Sequence, residues 1–265
     1  MINSYANSDD ARVAVAAAQA GAGTVRTMYG QQLSRIDKGS GDFATDADIQ
    51  AETTILDIIR TARPHDAVLG EEGGQQGAAV SGRQWLVDPL CGTLNYAVGT
   101  MLVAVNVALL DGPAAVADPF SGEVFFTNAE TAWVRHHDID TELAPSPEPK
   151  LVDLNLDPPF PSAPEFRAAD LLTHPEFVKS FRPRVVSTTL ALAWVAAGKR
   201  AAYVTDGNDL PESVHFAAGI AVCQAAGCIV TGINGDPIDQ TSRGLVAAAD
   251  TETHELLISM IHSRT

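Results

Sequence analysis

The chain has 265 residues, 46% hydrophobic and 19% charged, enough for a sizeable buried core in one large domain or two small ones. Its 17 Lys and Arg face 33 Asp and Glu, and the net charge of −16 disfavours a nucleic-acid partner, because counterion release needs a basic face. No run approaches the ~18 consecutive apolar residues of a membrane span, and MINSYANSDD lacks the basic and apolar regions of a signal peptide, so the expected setting is cytoplasmic and away from membranes.

In chain order, residues 9–29 (DDARVAVAAAQAGAGTVRTMY) read as an Ala-rich helix. A second helix follows in FATDADIQAETTILDIIRTARP: Thr45 is placed as N-cap with Asp48 three residues on, Ile55, Ile58 and Ile59 recur at helical spacing, and Pro64 closes it. AVLG (67–70) reads as a strand, GEEGG as an acidic loop, and RQWLVD as a strand ending at Asp88. Residues 101–110 and 114–127 are β-rich and joined by the turn Asp111-Gly112-Pro113. The Pro-rich run 142–150 reads as a boundary, after which LVDLNL suggests a strand. STTLALAWVAAGKRAAYV and SVHFAAGIAVCQAAGCIV each read as a helix followed by a strand, and TETHELLISMIH as a last helix. The expected organisation is an N-terminal α+β half (1–145) carrying the acidic motifs and a C-terminal α/β half (146–265), together one catalytic unit.

The three cysteines argue against a disulfide framework. Cys223 and Cys228, in an apolar helix-to-strand passage, read as core residues, whereas Cys91 has polar and Gly-rich neighbours. His65, His136, His137, His174, His254 and His262 lie in polar segments and are expected to be exposed. Three acidic groups sit at strand ends or helix starts: Asp42/Asp46/Asp48, Glu71/Glu72 and Asp88. Carboxylates gathered in this way suit hard cations such as Mg²⁺, which take oxygen ligands and activate water for attack on phosphorus.

The segments DFATDAD (42–48), LGEEGG (69–74), WLVDPLCGTLNY (85–96) and VHFAAG (214–219) together resemble the signatures of the inositol monophosphatase family, Mg²⁺-dependent phosphatases of small phosphate esters. The resemblance covers nearly the whole chain and implies an α/β fold of alternating αβαβα layers, a small-molecule substrate and a homodimer. It implies that Glu71, Asp88 and the backbone carbonyl of Leu90 hold a first metal. Thr93 and Asp48 would orient and deprotonate the attacking water, the N–H groups of Gly92 and Thr93 would receive the phosphate, and Lys38 would lie near that water.

Two positions depart from the family pattern. Cys91 stands where the second Asp of D-P-L-D-G-T is expected, and His215 where the Asp of W-D is expected. In the family those two carboxylates, with the counterpart of Asp88, make the second metal site. Three readings follow: a non-catalytic binding protein, a site refitted for a softer ion such as Zn²⁺, or a Cys–His dyad. In the third, His215 takes the proton of Cys91, Asp88 orients the ring, and a helix N-terminus lowers the thiol pKa below its usual ~8.5. The third is the expected chemistry: covalent acyl transfer or hydrolysis on a small metabolite, with no cofactor required. Its alternative is a Mg²⁺- or Zn²⁺-dependent phosphatase of a small sugar or inositol phosphate.

Overall fold

The computed structural model describes residues 9–39, 42–77, 82–156, 166–207, 210, 212–239, 242 and 244–263. The chain divides into two compact units, the first comprising Met1–Glu142 with Thr188–Leu190 and Val214–Val222, the second the remainder.

The first unit contains, in order, α1 (Asp9–Met28), β1 (Arg35–Gly39), β2 (Asp42–Thr45), α2 (Asp46–Ala62), β3 (Ala67–Gly70), β4 (Gly74–Gln76), β5 (Gln84–Cys91), α3 (Thr93–Ala97), β6 (Ala104–Leu109), β7 (Ala114–Ala117), β8 (Val124–Thr127), β9 (Ala132–His136) and β10 (Ile139–Glu142). An eight-stranded sheet runs in the order β10-β9-β8-β7-β6-β5-β3-β4, and β1 and β2 form a separate hairpin. All pairs are antiparallel except β3 with β5. Every residue of β6, β7 and β8 is buried. The two long helices pack on this sheet and on each other through Val15, Ala18, Val25, Ile55 and Ile59. Gly21 permits the contact, because a Cβ there would meet the Ile55 side chain at 2.7 Å.

The start of α2 is capped as expected. Thr45 accepts from the Ala47 N–H, and the Asp48 carboxylate accepts from the Thr45 N–H at 2.8 Å. β5 runs past Asp88 to Cys91, further than RQWLVD alone suggests. Its pairing with β6 is regular as far as Asp88↔Asn106 and then shifts before Cys91↔Ala104. Pro89, which has no N–H for a ladder, lies in this bulge. The bulge matters for direction: residues three apart on a regular strand point to opposite faces, and an inserted residue resets that alternation.

The second unit contains β11 (Leu151–Asn155), a short 3-10 helix (Ala168–Thr173), α4 (Pro175–Ser180), β12 (Arg182–Val185) and α5 (Leu190–Ala196), whose first residue clusters with the first unit. Then come β13 (Ala202–Thr205), α6 (Ala217–Ala225), shared between the units, β14 (Ile229–Thr231), β15 (Leu245–Ala248) and α7 (Thr251–His262). Its mixed sheet has the order β12-β11-β13-β15-β14, with β11 parallel to both neighbours. Leu171, Phe177, Phe181, Leu257, Met260 and Ile261 cover it with Val152, Leu154 and Val204 in one core.

His254 departs from expectation. It is buried, and its Nε2 lies 2.7 Å from Thr231 Oγ1. The side chain falls on the inward stripe of α7 with Leu257 and Ile261, a 3–4–7 spacing that its polar neighbours in sequence conceal. Cys223 and Cys228 are buried, as core residues should be.

Candidate active site

The residues assigned to the site all fall in the first unit, and five backbone segments bring them together. Asp88 sits near the end of β5, fully buried. Its Oδ1 accepts from the Leu90 N–H at 3.1 Å, a local turn that fixes the carboxylate. Its Oδ2 faces His215 Nδ1 at 2.7 Å and Asn106 Nδ2 at 3.4 Å. His215 lies in the turn before α6, with 42% of its side chain exposed. Asp88, Cys91 and His215 offer one ligand-type atom each, all within 4.8 Å of one another. Reset by the bulge, Asp88 and Cys91 thus face the same imidazole.

Glu71 begins the loop after β3, where its N–H bonds the Val87 carbonyl at 3.0 Å. Its Oε1 accepts from Lys38 at 3.0 Å, and Lys38 also binds Glu72 at 2.8 Å. Glu71 Oε2 is buried and, among the described residues, meets no donor. The loop is clamped from behind by Glu52, a buried carboxylate that accepts from the Glu72 and Gly73 N–H groups at 2.8 and 2.7 Å. A Cβ on Gly70 would come within 2.6 Å of that carboxylate. The Gly before the two glutamates is therefore a packing requirement as much as a turn.

Gly92 adopts φ 104°, a left-handed conformation that suits glycine, and it turns the chain from β5 into α3. Thr93 follows, its hydroxyl 2.9 Å from Asp48 Oδ1 and 3.1 Å from the Leu90 carbonyl. Thr93 and Asp48, to which the family resemblance gives roles at one water, lie in direct contact across 45 residues.

The electrostatics follow from burial of like charges. Burial raises Asp48, against the hydrogen bonds from Thr45 and Thr93. Burial, then the charge of Asp88, push Glu71 well above the usual carboxylate range, while His215 and Lys38 act in the other direction. For Asp88 burial also acts upward, but the charge and hydrogen bond of His215 outweigh it and hold the carboxyl low. His215 is the mirror image: burial disfavours the imidazolium, and Asp88 outweighs it and raises the ring well above its ordinary value. Lys38, though desolvated, is held more firmly charged by Glu71 and Glu72.

The family model of the inositol monophosphatases matches residues 6–265. This chain belongs to the inositol monophosphatase family. An inositol-1-monophosphatase of Synechocystis is 31% identical over 259 residues, covering 92% of this chain and 86% of its own length. A Nus factor SuhB of Vibrio cholerae is 29% identical, covering 83% of this chain and 82% of its own. Among solved structures, the extragenic suppressor protein suhB of Bartonella henselae shares the layered α/β fold at a TM-score of 0.83, with 24% identity, over 97% of this chain and 100% of that one. The inositol monophosphatases are a hydrolase family, and the likeness extends along the whole chain.

Membership and geometry together correct the Cys–His dyad. The two side chains do meet, as that reading requires. Their protonation runs the wrong way. Burial and the negative charge of Asp88 raise the Cys91 thiol, and the opposing influence of His215 and Thr189 is smaller. The charge and hydrogen bond of Asp88 raise His215 well above its ordinary value, which favours the imidazolium, a form with no lone pair to take a proton from sulfur. The expected lowering by a helix N-terminus is outweighed because α3 is five residues long and a buried carboxylate is nearby. A nucleophilic Cys91 finds no support, nor does the expectation that no cofactor is required; membership in a phosphatase family favours the metal-dependent alternative.

Sequence reasoning missed three residues of the site: Glu52, Asn106 and Thr189. Asn106 Nδ2 bonds Thr189 Oγ1 at 2.8 Å, and both side chains are buried. The signal for Asn106 was present as one amide inside the apolar run MLVAVNVALL. Glu52 and Thr189 carried none, since a helical Glu and a Thr before a helix are ordinary surface and capping residues.

Proposed function

We propose that this chain is a metal-dependent phosphatase of a small phosphate monoester. Glu71 carries the reading: a buried carboxylate beside Asp88, one oxygen of which meets no donor among the described residues. Glu71, Asp88 and the Leu90 carbonyl supply an all-oxygen donor set, which fits a hard divalent cation. A phosphate dianion cannot approach Asp48, Glu71 and Asp88 unless their charge is offset, because like charges at such range repel by several kcal/mol (about 4 at 4 Å in a partly screened site). The bound ion would offset that charge and polarise a phosphoryl oxygen.

The rest of the work falls to the chain. Asp48 accepts from the Thr93 hydroxyl, which leaves the Thr93 lone pairs to accept from a water and orient it for in-line attack. Burial raises the basicity of Asp48, which suits it to receive the proton the attacking water gives up. The N–H groups of Gly92 and Thr93 are assigned to the phosphate, as the family resemblance implies. Lys38, tied to both Glu71 and Glu72, positions the acidic loop.

The test is phosphate release from inositol 1-phosphate and a panel of small sugar phosphates, with Mg²⁺, Mn²⁺ or Zn²⁺ and with a chelator. The expected result is turnover that needs a divalent ion and is lost in Glu71→Gln. No release from any of these substrates with any of these ions would overturn the reading.

A further inference from the structure

We infer that Asp88, Cys91 and His215 form a second cation site whose donors select zinc over magnesium. This deepens the phosphatase reading by naming the second ion, but it rests on the donor set and can fail or stand apart from catalysis. Three donors converge from different places: a carboxylate within β5, a thiol at its end and an imidazole in the turn before α6. Magnesium asks for near-octahedral oxygen, of which this group offers one carboxylate. Zinc accepts thiolate, imidazole and carboxylate alike, at about 2.3, 2.0 and 2.1 Å.

The spacing agrees. Around a tetrahedral zinc, neighbouring ligand atoms lie about 3.4–3.6 Å apart. Here the three atoms lie within 4.8 Å of one another, and the shortest separation, 2.7 Å between His215 Nδ1 and Asp88 Oδ2, is a direct hydrogen bond. Admitting the ion means exchanging one shared proton and opening that pair by under about 1 Å, within reach of side-chain rotation. The proton on sulfur leaves at the same time, so binding releases protons to solvent.

The surroundings have the form of an outer shell. Asn106 holds Asp88 Oδ2 and Thr189 through one amide group, and Thr189 hydrogen-bonds the Cys91 thiol. Such partners fix the direction in which ligands point. The other thiols, Cys223 and Cys228, are core residues, and among the described residues this is the group of mixed donors close enough to bind one ion. Three protein ligands leave a fourth position to a small molecule, the form of catalytic rather than structural zinc. The half-exposed edge of His215 gives that position a route to solvent.

The test uses the full untagged chain, loaded with ZnCl₂, dialysed against excess MgCl₂ and measured by elemental analysis. The expected result is about one zinc retained per chain, and CoCl₂ in its place should give a thiolate-to-cobalt charge-transfer band. Cys91→Ser should abolish that band, and His215→Ala should weaken zinc retention by at least ~10-fold. Folding is checked by circular dichroism, and the double variant Cys91→Asp/His215→Asp, which places oxygen donors on the same frame, should fold and release its zinc to magnesium. Loss of zinc from the native chain under dialysis, or a cobalt band that survives in Cys91→Ser, would overturn the inference whether or not phosphate is released.

Discussion

Asp88 in the first unit and Asp153 in the second are both fully buried carboxylates on central strands, yet their surroundings are opposite. Asp153 is met by Arg200, whose Nε lies 2.9 and 2.7 Å from its two oxygens, and the guanidinium also stacks over Trp194. That cation is permanent and the pair is complete. Asp88 shares its pocket with Glu71, and positive charge reaches them from His215 and Lys38. Among the described residues no donor reaches one oxygen of Glu71. The difference separates a carboxylate that holds a fold together from one placed to bind. Neither burial nor residue type distinguishes them; the balance of charge around them does.

Substitutions at the two sites should therefore move different measurements. Asp88→Asn removes a donor shared by the two proposed cation sites, and phosphate release should fall by about 10³-fold or more. The urea midpoint should fall less than in Asp153→Asn, because relief of the like charge of Glu71 partly offsets the lost pair with His215. Asp153→Asn should do the reverse. It strands Arg200 and should cost about 3 kcal/mol of unfolding free energy by urea denaturation, with activity per folded molecule unchanged. A loss of activity in Asp153→Asn at full folding, or a collapse of stability in Asp88→Asn, would break the comparison.

Smaller effects sharpen it. Thr93→Ala removes the hydroxyl that Asp48 accepts from, proposed to orient the attacking water, and should lower turnover by about 10²-fold without changing how much zinc the chain retains in the dialysis test. In the second unit, burial lowers the pKa of His254, while Glu255 acts upward. A folded pKa below the unfolded value means the unfolded chain binds the extra proton first, so the stability from neutral His254 is present above about pH 6.5 and declines below it. His254→Gln should flatten part of the drop in urea midpoint between about pH 7.5 and pH 5.5; an identical slope would dismiss this contribution.

Much of the site was legible because it is local. Thr45 and Asp48 are three residues apart, and a capping box is a short-range pattern. The segment DPLCGT holds Asp88, Leu90, Cys91, Gly92 and Thr93 within six residues. The meeting of Cys91 with His215 was legible through family likeness, which supplied a long-range contact that no spacing could. The protonation of that pair was not. It depends on a carboxylate at 2.7 Å and on burial, both products of the folded chain. Glu52 and Thr189 act through side-chain bonds to a loop 20 positions away and a strand residue 83 positions away, and nothing in their own segments marks them. The hairpin of β9 and β10 escaped notice because His137 and Asp138, at φ 49° and 61°, make a tight turn without glycine.

The shifted register at Asp88–Cys91 has a consequence for retuning this protein. Because the kink, rather than the identity of residue 91, decides where that side chain is aimed, the backbone acts as a socket into which thiol, carboxylate or imidazole can be plugged. On the proposed zinc site, exchanging the donor should alter which ion is preferred and leave the frame in place. Removing a single residue between 88 and 91 would restore the plain zigzag: the two donors, then two apart, would still share a face, but the turn in which Asp88 accepts from the Leu90 N–H would be lost with the bulge.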